Sequence, residues 1–200
     1  MLLLTSNAYN IFWLGRYLAR IHFLCQYLPL EDDQHAQQLI SALYLPAYDA
    51  ASLTALLLDP EQPASFNQQF QMAYDNVQAL RGVLSAQSYA ELNAMFKYAK
   101  GSASSICQVI SDVEAVLESE SHDVFLFFSL GKYIEDLDQA LRMQQDPTDV
   151  INQLEIIAKA LQSYACTSFL EAWQAFRQQP ELSTFHGLNT QLQQSLGVSV

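Results

Sequence analysis

Glycine and proline are scarce in this 200-residue chain, six of each. A fold of many short strands needs more tight turns than that supply allows. Charge is scarce as well, at 15%, while half the residues are hydrophobic. A disordered chain has the opposite balance and is excluded. Basic residues are the rarest charge: nine Lys and Arg stand against 21 Asp and Glu, a formal net charge of −12. The deficit deepens along the chain. Residues 1–100 hold 5 basic and 8 acidic side chains, and residues 101–200 hold 4 and 13. Such a surface repels phosphate backbones and anionic lipid, so neither a nucleic-acid nor a membrane partner is expected.

Cysteine is limited to Cys25, Cys107 and Cys166. An odd number, far apart and with no CxxC pair, argues against a disulfide framework and against a cysteine zinc site. The expectation is three thiols packed as small hydrophobes in a reducing cytoplasm. Long uncharged hydrophobic runs are also missing. The apolar stretch 1–28 is interrupted by Arg16, Arg20 and His22, no basic region precedes it, and no small-residue cleavage site follows. It reads as a buried helix rather than a signal peptide or anchor.

Catalytic and cofactor motifs are lacking. There is no G-x-S-x-G, no GxxxxGK[ST] and no GxGxxG, so no catalytic residue and no cofactor is assigned. No Glu-x-x-His occurs, although di-metal helical bundles require it. Asp32 with His35, and Glu118 with His122, could each share a helix face. Both pairs lie near expected helix ends, and no metal is assigned. His22 reads as a satisfied core histidine, and His186 falls in an expected loop.

What the chain does have is helical period almost everywhere. Ile11, Leu14, Leu18, Ile21, Cys25 and Leu28 form one stripe at spacings of three and four. Tyr9, Trp13, Arg16, Arg20, Phe23 and Tyr27 form a second. A helix covered on two faces belongs in the middle of a bundle. This first helix is expected over residues 7–28, capped by Thr5 or Ser6 and stopped by Pro29. Further helices are expected over 31–45, 49–58, 64–84, 88–101, 105–117, 121–144, 147–163 and 169–177. A last, weak one is expected over 188–196. Ser88 and Glu91 have capping-box spacing. The glutamine pairs 37–38, 68–69, 144–145 and 193–194 read as exposed faces, which would tolerate a homodimer. The expected fold is all-α, a single-domain helical bundle spanning residues 1–200.

Two of the long helices echo each other. Leu14-Gly15-Arg16-Tyr17-Leu18-Ala19-Arg20 matches Leu130-Gly131-Lys132-Tyr133-Ile134-Glu135-Asp136 at an offset of 116 residues. Each carries a mid-helix glycine, which costs about 1 kcal/mol relative to alanine. Close approach of two helices, or backbone access for a ligand, would offset that cost.

The run Asn10-Ile11-Phe12-Trp13-Leu14-Gly15-Arg16-Tyr17-Leu18, closed by Arg20, resembles the alpha-E domain, a bacterial all-helical family with repeated Glu-Arg motifs. Asp75-Asn76 with Arg81, Tyr89 with Leu92-Asn93, and Leu130 to Glu135 agree with later segments of the family pattern in the same order. The departures are specific. Ala19 stands in place of the first motif's Glu while Arg20 stays, and Asp136 stands in place of the second motif's Arg while Glu135 stays. Ser6 and Tyr9 replace an Arg and a Glu. The resemblance implies a shortened, divergent member. It also implies a setting beside ATP-grasp-type ligases and transglutaminase-like proteins, in a peptide-forming or peptide-modifying system.

The candidate binding residues are Trp13, Arg16, Tyr17, Arg20, Glu135 and Asp136. Arg16 and Arg20 lie one turn apart beside aromatic residues and need anionic partners. Three kinds fit: an internal acid, chiefly Glu135 or Asp136; a carboxylate or phosphate ligand; or an acid on another protein. If the related helices pack about a pseudo-twofold axis, Arg20 and Glu135 should lie within about 4 Å, as the one surviving pair. The expected function is a non-catalytic helical partner of an ATP-grasp-type ligase. The alternative is a small-molecule or peptide-binding domain built around an Arg/Glu cleft.

Overall fold

The computed structural model describes residues 4–164 and 167–197. Among them it contains ten α-helices, a single 3-10 turn (Gln162–Tyr164) and no strand. The helices are α1 (Thr5–Cys25), α2 (Asp33–Leu43), α3 (Ala50–Leu58), α4 (Phe66–Ala79) and α5 (Ala86–Ala99). They continue with α6 (Ala103–Glu118), α7 (His122–Arg142), α8 (Thr148–Leu161), α9 (Thr167–Gln178) and α10 (Leu182–Ser195). None of the described helices is long and apolar enough to cross a membrane.

Short polar side chains set most of the helix starts. Asp32 accepts from the backbone of Gln34 and His35, and Asp49 forms a capping box with Ser52. Ser65, Ser85 and Ser102 cap α4, α5 and α6. Each satisfies a backbone donor that the first helical turn leaves orphaned. Two expected caps differ. Leu4, not Thr5 or Ser6, precedes α1, because the helix starts two residues earlier than expected. Ser88 lies inside α5, where its backbone N–H donates to the Ser85 cap three residues earlier. The last helix is the largest departure, since α10 begins at Leu182 and takes His186 out of its expected loop.

The two related helices, α1 and α7, form the centre of the bundle and make its most extensive contact. Around them, α4 and α6 pack on α1, while α6, α8 and α10 pack on α7. A Cβ built on Gly15 would lie 2.3 Å from the Phe128 carbonyl oxygen, and one on Gly131 would lie 1.9 Å from that of Phe12. The contacts are reciprocal at the 116-residue offset: Gly15 faces Phe128 and Lys132, and Gly131 faces Phe12 and Arg16. The glycines therefore permit backbone-to-backbone approach, the first of the two explanations for their presence.

Cys25 at the end of α1 is joined to Cys107 in α6 by a disulfide, with Cα atoms 5.6 Å apart. This overturns the reading of these two residues as free thiols, and with it the support that reading lent to a reducing cytoplasm. An 82-residue separation carries no pairing signal in the sequence. Folding α1 against α6 supplies the proximity. Cys166 lies outside the described residues.

Candidate functional site

One carboxylate organises the centre of the bundle. Glu135, 3% exposed on α7, accepts from Arg20 Nε at 2.6 Å, Arg20 Nη2 at 2.8 Å and Arg16 Nε at 2.8 Å. Arg20 thus grips it with a two-pronged fork, the strong geometry for this pair. Arg16, 4% exposed, donates from Nη1 to Asn189 Oδ1 of α10 at 3.0 Å and lies 4.0 Å from Asp138. Asp138 in turn accepts from Arg142 Nε at 2.7 Å. The Arg20–Glu135 pair expected from the retained halves of the two motifs is present, and Arg16 joins it.

The field around Glu135 decides its charge. Burial alone would raise its pKa, but Arg20 and Arg16 outweigh burial and hold it below the ordinary carboxylate range. Burial likewise works against the Arg20 charge, and Glu135 more than compensates, leaving that guanidinium firmly protonated. Aromatic residues wall the cluster. The Arg16 guanidinium stands 5.0 Å from the Trp13 ring and 5.9 Å from that of Phe12, within cation–π range. Trp13 packs on Tyr17 at 5.6 Å between centroids, and burial lifts the Tyr17 phenol above its ordinary pKa.

Asp136 is not part of this cluster. Successive helix positions diverge by about 100°, so Glu135 and Asp136 cannot both face Arg20. Asp136 lies instead in the field of a second polar group, Lys132, Glu114 and His22. There Lys132 Nζ is 3.3 Å from Glu114 and 3.2 Å from Glu118, and His22 Nδ1 is 3.2 Å from Glu114. By the 116-residue offset, Lys132 is the counterpart of Arg16, and Asp136 is the counterpart of Arg20. The counterpart of Glu135 is the buried Ala19, 4% exposed. The symmetry-related ion pair has therefore lost both of its partners.

Burial pushes Asp136 up to about 6; Lys132 opposes the shift, and Glu114 and Glu135 reinforce it. A native pKa above the unfolded one means that the folded protein keeps the extra proton. Stability from this group is full below about pH 4 and declines as pH rises through about 6. Asp136→Asn should accordingly raise stability at pH 8 by about 2–3 kcal/mol and change little at pH 4. Thermal melts at the two pH values check this, and an equal effect at both would contradict it.

The remaining histidine pairs are local. His35 lies 3.0 Å from Asp32 at the exposed start of α2, while Glu118 is taken by Lys132. Among the described residues no three His, Cys, Asp or Glu side chains converge as a metal site requires.

Three members of the central cluster escaped sequence reasoning. Asp138 and Arg142 follow Glu135 at i+3 and i+7, a helical stripe that was visible but unremarked. Asn189 falls within the weak helix expected over 188–196, and nothing in its neighbours points toward Arg16. Gln69 is a different surprise. It is 4% exposed rather than wet, and its Oε1 has no hydrogen-bond partner among the described residues.

No curated protein and no solved structure matches the chain. A model of the Alpha-E family, described as a predicted alpha-helical domain with a conserved ER motif, matches residues 3–181. With nine-tenths of its length matched, the chain belongs to the Alpha-E family.

Proposed function

We propose that this protein is a non-catalytic helical partner that docks on a larger enzyme, an ATP-grasp-type ligase of a peptide-forming or peptide-modifying system. The observation that carries the reading is the state of Glu135. Its two oxygens accept three charged hydrogen bonds from α1, so this buried acid clamps two helices together and has no role left as an acid or base. A general base must be free to take a substrate proton, and both oxygens of this carboxylate are committed to the two guanidinium groups.

The docking face lies elsewhere. Tyr44 and Tyr48, between α2 and α3, are 80% and 76% exposed. Tyrosine is enriched in protein interfaces, where it adds large contact area at little entropic cost. Tyr44 borders an open groove of about 1330 Å³, walled also by Gln34, Gln37, Gln38, Gln144 and Gln145. Uncharged amides are easier to desolvate than the acids that dominate the rest of the surface. Affinity capture from the native cell should recover an ATP-grasp-type ligase. The recovery should persist with Arg16→Met/Arg20→Met/Glu135→Met and fall at least tenfold with Tyr44→Ser/Tyr48→Ser. Absence of such a ligase from the captured proteins, or indifference to the tyrosines, would sink the reading.

A further inference from the structure

Beside the central clamp lies a pocket of about 320 Å³, reached between α1, α4, α7 and the loops flanking α3. Its polar wall includes Arg20, Glu135, Asp138, Arg142 and Gln69, and its apolar wall is built from Leu24, Leu43, Leu45 and Leu57. The clamp does not use all of these groups. Arg20 bonds Glu135 through Nε and Nη2, and its Nη1 has no partner among the described residues. Its side chain remains 33% exposed. Arg142 bonds Asp138 through Nε and the Ala42 carbonyl through Nη1, which leaves Nη2 without a hydrogen-bond partner among the described residues. Gln69 donates to the Ala64 carbonyl at 2.8 Å, and its buried Oε1 has no donor among the described residues.

The charges are also unbalanced. Arg16, Arg20 and Arg142 give three cations, and Glu135 and Asp138 give two anions. In a chain of net charge −12, this is a local excess of one positive charge. One monoanion restores neutrality, and a fork with an unused edge favours a carboxylate. The unmatched acceptor on Gln69 calls for an N–H. The leucine wall calls for an aliphatic side chain. A volume at the lower end of the ligand-pocket range suits one residue rather than an extended chain.

We infer that this pocket binds an α-carboxylate with its neighbouring nitrogen and an aliphatic side chain, the chemistry shared by a free leucine-like amino acid and the C-terminal residue of a peptide. The carboxylate meets Arg20 Nη1 and Arg142 Nη2. The ammonium or amide N–H meets Gln69 Oε1. The pocket shares Tyr44 with the docking face, since Tyr44 also lines it and its ring lies 5.6 Å from the Arg142 guanidinium; ligand binding is nevertheless read without any partner present, so its failure and the failure of the partner reading are distinguishable.

Titration calorimetry on the full chain with L-leucine, Gly-Gly-L-leucine and L-leucinamide tests it. Saturable binding of either carboxylate, with leucinamide at least tenfold weaker, is the expected result. Leucine alone would identify the free amino acid, and the tripeptide alone would identify a peptide C-terminus. Two variants locate the site. Ala64→Leu fills the pocket without touching the clamp, and Gln69→Met removes the acceptor while keeping the buried volume. Both should fold by circular dichroism, the first should abolish binding, and the second should weaken it at least tenfold. The inference is overturned if neither carboxylate binds at millimolar concentration, if leucinamide binds as well as leucine, or if Ala64→Leu binds normally.

Discussion

Gly131→Ala is expected to destabilise the protein by about 4 kcal/mol or more, a large share of the stability of an ordinary domain. The sign is the informative part. In a helix interior, alanine is normally better than glycine by about 1 kcal/mol, so propensity alone predicts stabilisation. At Gly131 the new methyl would lie 1.9 Å from the Phe12 carbonyl oxygen and 2.8 Å from its carbonyl carbon. These are backbone atoms of a helix and cannot swing aside as a side-chain tip can. Relief requires α1 and α7 to separate by more than about 1 Å along their whole contact. That opens gaps among Phe12, Leu14, Phe128 and Leu130, all fully buried, and each loses packing. Gly15→Ala should act in the same direction through the Phe128 carbonyl, at 2.3 Å. Gly187 supplies the control. It lies in α10, and a Cβ there would meet nothing within 4 Å, so Gly187→Ala should stabilise by about 0.5–1 kcal/mol. Urea denaturation of the three variants checks the pattern. A neutral or stabilising Gly131→Ala would mean that the α1–α7 contact is not as close as described.

That contact was legible because it left two traces in the residues. A repeated Leu-Gly-Arg/Lys-Tyr segment marks two helices with the same task, and a mid-helix glycine in each marks where they touch. The Arg20–Glu135 pair was legible for a related reason, since each motif had kept a different half. Features that depend on rotation about a helix axis or on distant chain encounters were not. Glu135 and Asp136 are neighbours in sequence yet sit in different polar groups. Gln68 and Gln69 were read together as wet, but adjacent helix positions point about 100° apart, and only Gln68 is exposed. The Cys25–Cys107 bridge and the Arg16–Asn189 bond join residues whose spacing in the chain holds no information. Both arise from how the outer helices close on α1.

Glu135→Ala is expected to cost about 3–5 kcal/mol, because it strands buried guanidinium groups rather than because the ion pair is itself worth that much. Arg16 would keep Asn189 and an acid 4.0 Å away, too little for a group 4% exposed. Arg20, at 33% side-chain exposure, can turn to water and should suffer less, so Arg20→Ala ought to be milder than Arg16→Ala. Replacing all three as Arg16→Met/Arg20→Met/Glu135→Met removes the stranded charges together with their partners, and an apolar core of similar volume is often as stable as the ions it replaces. The triple variant should therefore melt within a few degrees of the parent, while Glu135→Ala melts far below it. The pH dependence follows from the depressed native pKa of Glu135. Its contribution is complete above the ordinary glutamate value near pH 4.3 and is lost as pH falls through the lower native value. The parent should thus lose stability on acidification below about pH 4, and the triple variant should lose less. If Glu135→Ala and the triple variant are equally unstable, the clamp supplies net stability beyond charge compensation. Its retention would then follow from stability, with no need of any further role for the two arginines.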